Sequence, residues 1–247
     1  MSRARKINWT LILFLSIVNL PLLAQQNFAS ISFGATMPLG DYALTGDLAS
    51  NGYARTGGAI KFDVGFFPGS YFGIGGSFSF GSNYAIRDSL LKDMTTYVVE
   101  NASSVIDIPE DAEILYGSGF WNYISLFIGP HFSIRASQRL YFDFRGLAGM
   151  TILKTPDQEL RINYTGTEIY SQTSHNKLAL GFTAGGGLRY SLNSNIALKL
   201  AVDFFQSRAK FNYTFDLFQG VTEDVPPIEV NFLVRTIELT AGLAYSF

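Results

Sequence analysis

The chain has no cysteine, only two histidines and eight prolines among 247 residues. Without cysteine an exported domain has no disulfide to staple it, so it must hold together by burial or by closing a sheet. The same absence removes any thiol nucleophile and any site for a lipoprotein lipid. Charge is sparse and slightly acidic, with 18 Lys and Arg against 20 Asp and Glu. No basic patch of the kind a nucleic-acid partner needs is present, and no nucleic-acid partner is expected. Beyond residue 23 no segment approaches the roughly 18 unbroken apolar residues of a transmembrane helix. If that part of the chain enters a membrane, it must do so as a closed barrel, because only closure satisfies every backbone group in lipid.

The one long apolar run is N-terminal. Arg3, Arg5 and Lys6 precede Ile7 to Leu23, and Ala24 precedes Gln25-Gln26. This order of basic, apolar and small residues predicts a secretory signal peptide over 1–24, cleaved near Ala24, and one domain over 25–247. Asn8, Asn19 and Pro21 interrupt the run and no basic stop-transfer segment follows, which argues against a retained anchor. Leu22 stands where a small residue is preferred. Losing the three leader cations leaves 15 basic against 20 acidic groups, a net charge of −5.

The remainder is rich in Phe (22), Tyr (13) and Gly (24). Apolar and polar residues alternate, which is the strand signal. Ile237, Leu239, Ala241, Leu243, Tyr245 and Phe247 share one face, against Thr236, Glu238, Thr240, Gly242, Ala244 and Ser246. The split recurs over 196–204, 140–150 and 60–66, and less sharply over about 28–37, 71–81, 120–135 and 177–190. These are eight candidate strands, each about long enough to cross a bilayer at a tilt.

Connection lengths alternate too. Pro68-Gly69-Ser70, Ala136-Ser137-Gln138 and Leu192 to Asn195 are tight turns, whereas about 38–56, 82–119, 154–176 and 214–230 are long. Short turns at one end and long loops at the other are the layout of outer-membrane barrels, with the long loops outside and both termini in the periplasm. The expected fold is therefore all-β: an eight-stranded antiparallel transmembrane β-barrel behind a cleaved signal peptide. Its rival is a soluble lipocalin-type barrel, which alternates with the apolar face inward. A narrow barrel has room inside only for small residues and a few long polar ones, so the Phe, Leu and Ile stripe is assigned outward, facing outer-membrane lipid. Phe66, Phe67, Tyr71, Phe72, Tyr190, Tyr245 and Phe247 are expected in the interfacial aromatic girdles.

The inward face carries Lys61, Arg145, Arg189 and Lys199 against Asp63, Asp143, Asp203 and Glu238. Charge in a narrow lumen is costly unless paired, so the balance predicts a cross-lumen ion network near the middle and the periplasmic half. The alternative is a set of separate charges in lumen water. Replacing Asp203 and Glu238 by Ala is expected to destabilise the barrel and open a conductance.

Signals for chemistry are weak. His131 falls near the periplasmic end and His175 at the third long loop, too far apart to share a site. No Gly-x-Ser-x-Gly or His-Glu-x-x-His occurs. Ser171, Ser174 and Asp157 lie near His175 in sequence, as polar residues do in any loop. The second long loop is acidic, densest at Asp107 to Glu113, but lacks calcium-loop spacing and reads as a solvated surface. Residues 89–100 fit a helix or a strand extension. Leu160 to Tyr164 and Phe211 to Phe215 are β-prone, so strands are expected to continue there above the membrane and present Tyr and Asn to partners. No cofactor, metal or catalytic residue is expected.

Leu23-Ala24-Gln25, Met37-Pro38-Leu39-Gly40-Asp41, Ile128-Gly129-Pro130 and Gly242-Leu243-Ala244-Tyr245-Ser246-Phe247 resemble the outer membrane protein β-barrel domain, or PorT-like porin, family. The resemblance implies an eight-stranded outer-membrane barrel with no catalytic residues. It also implies that terminal Phe247 is read by the barrel-assembly machinery during insertion. The "porin" label is a fold-level name and does not establish transport. Three functions remain open: a non-enzymatic surface barrel, structural or adhesive or an accessory subunit with envelope protein partners; a narrow channel or small-ligand transporter; and a loop-built outer-membrane enzyme.

Overall fold

Alternation closes into a ring in the computed structural model, which describes residues 27–69, 71–102, 113–156, 158–164, 166–172, 175–213 and 228–247. The predicted signal peptide lies outside the described residues. Eight strands build the ring: β1 (Phe28–Pro38), β2 (Gly57–Phe66), β3 (Phe72–Tyr84), β5 (Phe120–Arg135), β6 (Leu140–Lys154), β9 (Asn176–Ser191), β10 (Ile196–Tyr213) and β11 (Ile228–Ser246). The order around the barrel is β1-β11-β10-β9-β6-β5-β3-β2, and every ladder is antiparallel. Closure is made by β1 on β11, from Phe28 opposite Ser246 to Pro38 opposite Thr236.

Short side-chain acceptors shape two tight turns. Ser137 Oγ accepts from the N–H groups of Arg139 and Leu140, at 3.3 and 3.2 Å. Asn193 Oδ1 accepts from Asn195 and Ile196, at 2.9 and 2.7 Å. Both ends of the ring meet on this side, where Phe247 N–H donates to the Asn27 carbonyl at 3.1 Å.

The apolar stripe faces outward. Phe33, Phe62, Val64, Leu126, Ile128, Leu198, Leu200, Leu239 and Leu243 are all exposed, while Ser32, Lys61, Asp63, Ser125, Asp203 and Thr240 are buried. A soluble barrel has the reverse arrangement, so the lipocalin-type rival is excluded and the outer belt is suited to hydrocarbon. Among the described residues no helix is long and apolar enough to cross a membrane; the crossing elements are strands. Six of the seven expected girdle aromatics are exposed. Phe67 is the correction: it is buried. Next to outward Phe66 it has inward parity, and Asn27 Oδ1 holds its N–H at 2.8 Å.

Three short strands, β4 (Glu113–Ser118), β7 (Gln158–Tyr164) and β8 (Gly166–Gln172), form a second sheet in the order β4-β7-β8. Their register continues that of the barrel. Asn122 pairs with Lys154 and Ser118 with Gln158, four residues back and four forward. Lys154 pairs with Asn176 and Gln158 with Gln172 in the same way. The second sheet is thus the β5-β6-β9 wall extended past the rim. Residues left open between helix and strand form helix α1 (Arg87–Ala102).

Candidate functional site

The lumen is filled in three layers. At the short-turn end Phe28 and Phe67 stack with centroids 6.4 Å apart, and His131 packs edge-on against both, at 5.6 and 5.3 Å. Ala197 and Ala244 complete this layer. His131 Nε2 lies 3.8 Å from Asp143 Oδ1. Beside it is a cavity of about 10 Å³, lined by His131, Asp143, Arg145 and Lys199 among others. That is space for about one water.

The middle layer contains all eight inward charges. Lys61 Nζ is 2.8 Å from Asp203 Oδ2 and also contacts Glu238. Arg145 Nη1 is 2.8 Å from Asp63 Oδ1, and Arg145 meets Asp203 through Nε (2.9 Å) and Nη2 (2.5 Å). Lys199 contacts Asp63 and donates to Ser30 Oγ at 2.9 Å. These six form one connected cluster. Arg189 makes a two-point contact with Asp143, at 2.6 and 2.9 Å, donates to Ser133 Oγ at 2.9 Å, and lies 3.9 Å over the Phe28 ring.

Sheet neighbours alone cannot make this arrangement. Asp203 is directly opposite Glu238, and Lys199 directly opposite Arg189. Like charges so placed repel. Each is offset from across the lumen: Lys61 of β2 sits between the two carboxylates, and Asp63 of β2 meets Lys199. Room for these long side chains comes from missing ones. A Cβ on Gly185 would stand 2.3 Å from Asp203 Oδ1.

The third layer, toward the long loops, is aromatic. Tyr123 stacks on Phe205 at 4.6 Å and 11°, and Phe127 on Phe205 at 6.0 Å. Trp121 meets Tyr42, Phe211 and Phe232 edge-on, at 5.6, 6.4 and 4.9 Å. The expected inward face of small residues and charges is therefore incomplete. Parity carried the signal: Tyr123 and Phe127 are out of phase with outward Ile124, Leu126 and Ile128. Phe211, expected in a displayed strand extension, is buried in this layer. The strand does continue, paired with β11 as far as Tyr213 opposite Ile228.

The first long loop closes the mouth. Its 3-10 turn (Gly40–Tyr42) buries Tyr42, whose hydroxyl donates to Asn83 Oδ1 at 3.3 Å. Trp121 Nε1–H donates to the Gly52 carbonyl at 2.7 Å. Tyr53 hydroxyl donates to Asp93 Oδ2 of α1 at 2.5 Å, and Gly46 N–H reaches the same carboxylate oxygen at 3.0 Å. Burial, and then the Asp93 hydrogen bond, push the Tyr53 phenol up from its ordinary value. The Ser50 hydroxyl, then the Ala49 N–H, hold the Asp47 carboxyl below its ordinary value.

The remaining candidates stay separate. His131 pairs in register with Arg145, whereas His175 N–H donates to Thr155 Oγ1 at 3.0 Å. Ten residues of β6 and its continuation separate those levels, roughly 33 Å. Asp157 and Ser174 lie outside the described residues, as do Asp107, Glu110 and Asp111 of the acidic loop. Among the described residues no three or more His, Asp or Glu are grouped to hold a metal ion. Phe247 is exposed at the end of the closing strand.

A family model described as "Outer membrane protein beta-barrel domain" matches residues 10–247. No curated protein matches the sequence. Among solved structures, the chain is similar to a major outer membrane protein from Thermus thermophilus (14% identity, 89% of this chain and 99% of that chain, TM-score 0.47). It is also similar to Ail, the attachment invasion locus protein of Yersinia pestis (16% identity, 88% and 98%, TM-score 0.37). A third similarity is to the outer membrane protease OmpT from Escherichia coli (11% identity, 93% and 99%, TM-score 0.44).

Proposed function

The chain belongs to the outer membrane protein β-barrel domain family and resides in the outer membrane; on that premise we propose that it is a plugged, non-enzymatic barrel that displays its long loops at the cell surface. The observation that carries this reading is the lumen packing. Eight buried charges lie between one aromatic layer that includes Phe28 and Phe67 and another that includes Tyr123, Phe205 and Trp121. Eight strands leave space only for side chains, and here side chains take it. The β4-β7-β8 sheet and the β10-β11 extension carry paired strands beyond the barrel rim. A structural or adhesive role, or that of an accessory subunit in an envelope complex, follows from such an extension. Placement among PorT-like barrels, and insertion by the assembly machinery through Phe247, rest on short motifs and belong to the same proposal.

Single-channel recording of the refolded protein in planar bilayers tests it. The expected record is silent, and steady conductance would establish the channel alternative instead. Pull-down from detergent-solubilised outer membranes tests the partner reading: recovery of the barrel alone would leave display without an accessory role.

A further inference from the structure

The barrel wall parts on its loop side between β9 and β10. Their ladder ends at Ser207 opposite Gly181. Above that point β9 stays with β6 up to Asn176, and β10 stays with β11 up to Tyr213. On the β9 bank Leu178 and Leu180 are 68% and 77% exposed, the two most exposed leucines of the belt. On the β10 bank the outward positions change from Val202 and Phe204 to Gln206, Arg208 and Lys210. Arg235 is opposite Gln206 on β11 and donates to its Oε1 at 3.0 Å. Phe182 and Phe204, 5.9 Å apart, form the floor where the strands rejoin. None of the outward side chains of β9, of β10 as far as Lys210 and of β11 from Asn231 onward is acidic, although the chain as a whole carries net negative charge.

An apolar bank beside a basic one, at the loop-side end of a hydrocarbon belt, matches an amphiphile with an anionic head. We propose that this parting seats one phosphorylated glycolipid of the outer leaflet. Its acyl chains lie over Leu178, Leu180 and Phe182, and a phosphate lies on Arg208 and Arg235. Arginine suits the head because its planar fork matches phosphate oxygens at two points. The outer leaflet is the source because the cluster is on the long-loop side, which faces outward in this family layout.

The test uses the full barrel folded in phosphatidylcholine nanodiscs and titrated with diphosphoryl lipid A, with adducts counted by native mass spectrometry. One saturable site is expected, weakening as salt rises from about 0.05 to about 0.5 M. Arg208→Gln with Arg235→Gln should lower affinity about tenfold, as should removal of the lipid phosphates. Leu180→Ser should weaken binding without altering its salt dependence. Arg139→Gln, in a tight turn at the opposite end, should change nothing. Heat-modifiable migration checks that each variant is folded, which is expected because all four positions are on the outer surface. Equal binding by the double arginine variant or by dephosphorylated lipid A would overturn the proposal. Equal competition by phosphatidylglycerol would overturn the glycolipid as occupant.

Discussion

Tyr123 donates its hydroxyl proton to Glu238 Oε1 at 2.5 Å, from β5 to β11, four strands apart whichever way the ring is followed. This one contact spans the lumen and joins the aromatic layer to the ion cluster, since Glu238 also holds Lys61. Glu238→Gln should cost about 3–5 kcal/mol, because it leaves Lys61 short of a buried partner. Tyr123→Phe should cost about 1–3 kcal/mol. The double variant should lose less than the two single losses added together. The urea midpoint of the compact, unheated gel band measures all three, and unchanged midpoints would show that the contact contributes no stability.

Glycine makes that contact sterically accessible. A Cβ on Gly81 would stand 2.0 Å from the Tyr123 ring, whereas one on outward Gly146 would meet nothing within 4 Å. Gly81→Ala should therefore destabilise by about 1–3 kcal/mol through overpacking. Gly146→Ala should fall within about 0.5 kcal/mol of the parent. Equal midpoints for the two variants would mean that Tyr123 does not depend on the space beside it.

The three layers alter what a charge deletion should do. Asp203→Ala with Glu238→Ala removes two carboxylates from the middle layer but leaves Phe28 and Phe67 below, and Phe127 and Phe205 above. That double variant should unfold at lower urea yet remain silent in planar bilayers. Adding Phe67→Ala and Phe205→Ala should produce measurable conductance. Conductance from the charge variant alone would show that the aromatic layers do not seal.

Loop pH dependence follows from Tyr53 and Asp47. The Tyr53 phenol is raised, so its contribution is whole below the ordinary phenol value of about 10 and is lost as pH climbs toward the folded value. The Asp47 carboxyl is lowered, so its contribution is present above the ordinary value of about 4 and is lost as pH falls through the folded one. The first loop should be best held between those limits. Trp121 reports on it through the Gly52 carbonyl; in protein prepared without residues 1–24, and so without Trp9, it is the sole tryptophan. Its fluorescence should be flat across that window and shift above about pH 10. Tyr53→Phe should remove from the absorbance change one phenol that titrates above the ordinary range; loss of an ordinary phenol instead would show that Tyr53 is not held up.

Strand number, the outward stripe, the alternation of turns and loops, and the eight inward charges were all legible along the chain. Each depends on a period of two or on local turn chemistry, and both act between near neighbours in sequence. Tertiary structure alone decided which charges meet. Asp203 and Glu238 are like-charged ladder partners, and only closure of β1 on β11 brings Lys61 of β2 between them. Closure also chose the partners of inward Phe67, which are Phe28 and His131, and stacked Tyr123 on Phe205 from distant strands. The physical reason is the same in each case. Alternation assigns a residue to a face, but the curvature and register of the closed ring choose its neighbour across the lumen.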